Sequence, residues 1–186
     1  MTTIKEALGS IRLSEVIKCL VYTLFSVMLI TVSSSFLYSL GYRGAVPDLI
    51  LSAVVAVAYY EGERTAAVFG MLSGFALEAV GSTGFSILPL FYMLVGCVSS
   101  ALFLKILGKN VGAYLLYVLC FGAVRAAISL IYIQFSAPHY VVGTALSLVV
   151  FPEFVATAIA APVVFFIAFL ISRRLNAPRI VQEGRV

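Results

Sequence analysis

Most charged residues of this chain flank long apolar runs, in the two end segments or in short turns, and this spacing restricts the fold more than any other feature. Asp, Glu, Lys and Arg make up 11% of the 186 residues, whereas apolar types make up 62%. Soluble domains carry about 25% charged residues. The pattern excludes a soluble globular domain, a disordered chain and a nucleic-acid-binding module, and it predicts an all-α integral membrane protein.

Turn residues and prolines place the ends of the apolar segments. Pro47 and Asp48 are typical of a helix start, because proline suits the first helical position and a carboxylate there complements the helix dipole. As one helix, residues 141–172 would be about 48 Å long, against about 30 Å of hydrocarbon, so Pro152 is expected to open a shorter span. The predicted spans of this six-transmembrane-helix bundle are about 19–40, 47–60, 65–80, 85–104, 111–134 and 152–172.

Further predictions concern the two ends of the chain. The first span is expected to stay attached, because its apolar run is longer than the core of about 7–15 residues in a cleaved signal peptide. Residues 1–17 are predicted to form an amphipathic helix on the inner leaflet, with a frayed tail as the alternative. Residues 1–175 are expected to form a single membrane domain and 176–186 a cytoplasmic tail, with 136–150 an interfacial loop or short helix.

The distribution of basic residues predicts the orientation of the bundle. Ten of the 12 Lys and Arg residues fall on the side of the termini, whereas Arg43 falls on the opposite side and Arg125 inside a span. Basic residues accumulate in cytoplasmic loops. Both termini of this multi-pass membrane protein are therefore predicted to be cytoplasmic.

Four ionisable residues lie inside the predicted spans or at their ends, namely Asp48, Glu78, Arg125 and Glu153. A charge at the centre of a bilayer costs about 2.5–3.5 kcal/mol on insertion scales, so such residues are expected to pair or to serve a function. Glu78 and Arg125 fall at similar depths, about 20 Å from the inner surface. The sequence therefore predicts an ion pair between these two residues, while Asp48 and Glu153 begin helices near the outer face.

These four residues allow two interpretations. They form either an outward-facing polar pocket or partner-binding site, or a structural ion pair together with two carboxylates at helix starts. Small residues at every fourth position, Ala66, Gly70 and Gly74, place Glu78 on a face suited to helix packing. That packing is expected inside the bundle, with a partner interface as the alternative.

No arrangement of residues indicates catalysis. His139 is the only histidine, the three cysteines lack metal-binding spacing, and no glycine-rich phosphate loop occurs. The sequence therefore predicts a protein that is not an enzyme and has no metal site and no cofactor.

The chain resembles the rod shape-determining protein MreD family over roughly residues 46–175. The resemblance rests on ordered pieces of the sequence rather than on one motif. They are Val46-Pro47-Asp48-Leu49-Ile50-Leu51, Glu63-Arg64, Gly70-x3-Gly74-x3-Glu78, Gly81-Ser82-Thr83-Gly84-Phe85, Val95-Gly96, Pro152-Glu153, Ala161-Pro162 and Arg173-Arg174-Leu175. Glu78 departs from the family, which more often has Asp at this position.

The resemblance implies a non-enzymatic scaffold of the bacterial inner membrane that binds the bitopic protein MreC. It also implies support of lateral cell-wall synthesis and cell shape, with the actin-like MreB, RodA and a class B penicillin-binding protein as direct or indirect partners. The family is similar in fold to the S components of energy-coupling-factor transporters. A vitamin- or metabolite-binding transporter subunit is therefore the alternative function, and an unrelated small channel or carrier is a third.

Overall fold

The computed structural model describes residues 17, 18, 20–34, 47–81, 87–106, 108, 110–136 and 151–183, and the regular elements of this part are helices. The predicted helix before residue 17 and the connection 137–150 lie outside the described residues. The six helices are α1 (Leu20–Val32), α2 (Leu49–Glu61), α3 (Glu63–Gly81), α4 (Leu88–Lys105), α5 (Val111–Ser136) and α6 (Phe151–Glu183).

Three of these helices are long and apolar enough to cross a membrane. They contain the stretches Leu88–Lys105, Val111–Ile131 and Phe151–Leu175. The helices also expose large apolar side chains: Leu104 and Ile159 keep 73% and 72% of their surface. Apolar surface of this kind is unfavourable in water and suits contact with lipid. An all-helical fold with three helices of membrane-spanning length and composition is thus established for the described part.

Helix α2 lies at the centre of the bundle. Every residue from Leu49 to Ala58 is buried, and α2 packs against α3, α4, α5 and α6. Its sequence is apolar on all sides, and a helix without a polar face belongs in a core. With 13 residues it is about 20 Å long, shorter than the hydrocarbon core of a bilayer.

The tightest packing joins α3 to α4, and glycines permit it. A Cβ atom added at Gly70 or Gly74 would lie within 3.0 Å of the α4 backbone at Tyr92 or Pro89. From the other side, a Cβ at Gly96 would lie 2.5 Å from the carbonyl oxygen of Ala66. The row of small residues at Ala66, Gly70 and Gly74 therefore packs inside the bundle in this structure.

Helix α6 is longer than its predicted span. It begins at Phe151, beside Pro152, and continues to Glu183, beyond the expected end at residue 172. The apolar stretch ends at Leu175, and the remaining turns lie in the segment that the sequence assigns to a cytoplasmic tail. The tail segment is therefore helical through Glu183.

Candidate functional site

The candidate site is built around Asp48, which precedes α2. Asp48 is the N-cap residue of this helix: its Oδ1 accepts a hydrogen bond from the backbone N–H of Leu51 at 2.9 Å. Asp48 was expected in the first turn, so the helix begins slightly later than predicted. The Asp48 N–H donates to Oγ1 of Thr157 on α6 at 2.8 Å, and that hydroxyl donates to the carbonyl of Glu153. These bonds attach the start of α2 to α6.

Arg125 of α5 joins this carboxylate to two further helices. Its Nη1 pairs with Oδ2 of Asp48 and also donates to the hydroxyl of Tyr92 on α4. Its Nη2 lies 3.4 Å from Oε1 of Glu153 on α6. The Tyr92 hydroxyl donates to Asp48 at 2.8 Å, and the guanidinium carbon lies 5.8 Å from the centre of the Tyr92 ring, within cation–π range. We call Asp48, Tyr92, Arg125 and Glu153 the ionic layer.

The ionic layer explains how charged residues are tolerated among apolar helices. Side-chain exposure is 5% for Asp48, 21% for Arg125 and 24% for Glu153. Removing one member of a buried ion pair typically costs about 3–5 kcal/mol, because the other charge stays buried without compensation. The layer therefore holds α2, α4, α5 and α6 in one arrangement.

The predicted pair between Glu78 and Arg125 is wrong, because the ion-pair partners of Arg125 are Asp48 and Glu153. Glu78 instead accepts a hydrogen bond at 3.3 Å from the backbone N–H of Leu88, the first residue of α4. The physical reason is that α3 and α5 pack against different helices. Helix α3 packs against α4 and α2, whereas α5 packs mainly against α6 and α2. Similar depth along two helices does not make those helices adjacent.

Of the four residues proposed from the sequence, three come together and the fourth caps a neighbouring helix. Sequence reasoning missed Tyr92, which is fully buried and completes the layer. Its only signal is a phenolic hydroxyl in an apolar run, and a buried hydroxyl there needs a hydrogen-bond partner. The same signal occurs at Tyr114, whose hydroxyl donates to the carbonyls of Ser52 and Ala161.

A second polar cluster surrounds Glu61 at the opposite end of α2. The Glu61 carboxylate lies 2.8 Å from Nζ of Lys18 and accepts hydrogen bonds at 3.0 Å from Tyr22 of α1 and Ser172 of α6. Glu61 is the last residue of α2, directly before the turn at Gly62, yet its side chain is only 5% exposed. Glu61 therefore attaches α1 and α6 to α2.

Glu61→Gln is expected to destabilise the protein by about 1–3 kcal/mol, because the amide loses the charge that faces Lys18 and adds a donor where donors already converge. Thermal unfolding in detergent, followed by size-exclusion chromatography, would measure the loss. Glu63→Gln is the matched control, since Glu63 is exposed two residues away. Equal stability of the two variants would contradict a structural role for the Glu61 cluster.

A small cavity lies beside the ionic layer, between α2, α5 and α6. Its volume is about 20 Å³, and Arg125, Glu153 and Thr157 are among the residues that line it. A space of this size holds about one water molecule. In the described part of the chain, no group of three His, Cys, Asp or Glu side chains is placed to hold a metal ion.

Comparison with known proteins gives no match: no family model, no curated protein and no solved structure matches the chain.

Proposed function

We propose that the chain is a non-enzymatic membrane scaffold of the bacterial cell-elongation machinery, similar to the MreD family. In this proposal it crosses the inner membrane six times with both termini in the cytoplasm. It binds an MreC-like bitopic protein and so supports lateral peptidoglycan synthesis and cell shape. MreB, RodA and a class B penicillin-binding protein are its direct or indirect partners.

The observation that carries this proposal is that the ionic residues engage one another across four helices. Asp48, Arg125, Glu153 and Tyr92 all have partners within the layer. This arrangement supports a rigid framework that presents its outer surface to another protein. The resemblance of the sequence to the MreD family suggests the kind of partner.

The alternative is a vitamin- or metabolite-binding transporter subunit, which needs a pocket of about 300–1,000 Å³. The cavity beside the ionic layer has room for about one water molecule, so this position supports the scaffold over a ligand-binding subunit.

Affinity purification of the full chain from its own membranes is expected to recover a single-span protein in roughly one-to-one ratio. Mass spectrometry of the same sample would identify that protein and any small molecule carried with the chain. A tightly held metabolite without a single-span partner would overturn the scaffold proposal in favour of the transporter subunit. A matched purification of another multi-pass protein from these membranes provides the control.

The orientation is tested by labelling single cysteines in a background without native cysteines. A thiol reagent that does not cross membranes is expected to reach Thr83→Cys from outside the cell. It is expected to reach Glu63→Cys only after the membrane is opened, because Glu63 follows a turn on the side of the termini. The reverse pattern would contradict the proposed orientation.

A further inference from the structure

The surface between α5 and α6 has a composition that suits another helix. Two small residues of α5, Ala126 and Ser129, line the cavity beside the ionic layer, and Ala158 of α6 lines its other side. We call these residues together with Glu153 the α5–α6 seam. Small residues allow the backbones of two transmembrane helices to approach closely.

The seam also leaves part of the ionic layer uncovered. Arg125 and Glu153 keep 21% and 24% of their side-chain surface, although both belong to helices of membrane-spanning composition. Exposed apolar side chains lie on both helices near them, for example Leu119 on α5 and Val155 on α6. In a membrane, lipid tails would meet a partly exposed ion pair, which is unfavourable unless a polar group covers it.

The charges of the layer indicate which polar group fits. Two carboxyl groups contact one guanidinium, so the ionised layer has an excess of one negative charge. Asp48 accepts hydrogen bonds from Leu51, Tyr92 and Arg125, whereas among the described residues the Glu153 carboxylate has one polar contact, with Arg125 at 3.4 Å. Among the described residues no donor reaches Oε2 of Glu153, so this carboxylate has acceptor capacity for a cation.

We propose that the α5–α6 seam receives a transmembrane helix of a second protein that carries one lysine or arginine near its outer end. The basic side chain pairs with Glu153, and small residues of the seam contact the backbone of the incoming helix. This inference rests on the proposed scaffold function and names the surface at which the partner binds. Glu153 lies in the first turn of α6, so the basic residue lies near the end of the partner helix at that level.

The test uses the purified full chain in detergent and two biotinylated leucine–alanine helices of membrane-spanning length. One helix carries a single lysine three residues from one end, and the other carries glutamine at that position. The lysine helix is expected to retain about fivefold more of the protein than the glutamine helix does. This ratio corresponds to the free energy of a partly exposed ion pair. Equal retention of the two helices would overturn the proposal.

Substitutions in the chain test whether the designed helix binds at the α5–α6 seam. Glu153→Gln is expected to remove the preference for lysine, whereas Glu78→Gln is the matched control and should keep it, because Glu78 lies outside the ionic layer. Ala126→Leu should reduce retention of both helices by filling the seam. Each variant is first required to elute as the parent protein does in size-exclusion chromatography. The assignment of the contact to the α5–α6 seam would be contradicted if Glu78→Gln also lost the preference for lysine. Unchanged retention by Ala126→Leu would contradict it as well.

The two proposals fail separately. If a single-span protein is recovered from membranes but the two designed helices are retained equally, the scaffold function stands. The α5–α6 seam is then rejected as the surface that binds the partner. Absence of any single-span partner would reject the scaffold itself.

Discussion

Replacing Arg125 with methionine is expected to lower the free energy of unfolding by about 3–5 kcal/mol. The substitution leaves the Asp48 carboxylate, whose side chain is 5% exposed, without its cation. It also removes the link from α5 to α2, α4 and α6, because one guanidinium contacts all three. In thermal unfolding the midpoint should fall by on the order of 10 °C.

A second substitution separates charge from packing. Asp48→Asn combined with Arg125→Met removes both charges, and the asparagine side-chain oxygen is still able to accept the capping bond from Leu51. The double variant is expected to lose clearly less stability than the sum of the two single changes, because the two residues are in contact. Glu78→Gln combined with Arg125→Met should instead be additive within about 0.5 kcal/mol.

Arg173→Met is the matched control, because Arg173 is exposed near the end of the apolar part of α6. Its effect should stay within about 0.5 kcal/mol. If Arg125→Met were as mild as this control, or if Glu78→Gln rescued it as well as Asp48→Asn, the ionic layer would not be the structural centre that the contacts indicate.

Gly70→Ala is expected to have the second large effect, a loss at or above the upper end of the roughly 1–3 kcal/mol typical of overpacking. The added methyl group would meet the backbone of α4 at Tyr92, and backbone atoms do not move aside as a flexible side chain does. Helix α4 would have to separate from α3, which also displaces the hydroxyl that Tyr92 contributes to the ionic layer.

Gly112→Ala is the matched control for Gly70→Ala, since both change one helical glycine by one methyl group. A Cβ at Gly112 meets nothing within 4 Å. This variant should be unchanged or more stable by up to about 1 kcal/mol, because alanine favours the helix. Thermal unfolding of the two variants in the same detergent would compare them, and equal stability would contradict close packing of α3 on α4.

Much of the fold was predictable from the sequence because turns and charges separate the apolar runs. The helix boundaries of α2 to α5 lie within a few residues of the predicted ones. The long extent of α6 was not predicted, because its last turns contain charged residues and Pro178, which read as an exposed tail.

The candidate site was predictable only in part. Charge in an apolar setting is visible in a sequence, so Asp48, Arg125 and Glu153 were found. Tyr92 and Glu61 were not, since a tyrosine in a span and a glutamate in a turn are ordinary until their neighbours are known.

By itself, the sequence predicted an all-α membrane protein and indicated which ionisable residues need partners. The structure shows three helices with the length and composition of membrane spans. Only the tertiary structure decided which residues are those partners. Hydrophobic periodicity sets the depth and buried face of each helix, whereas the choice of neighbours depends on contacts between distant segments, such as glycines that bring α3 against α4. For this reason Arg125 meets Asp48 and Glu153, and Glu78 caps α4.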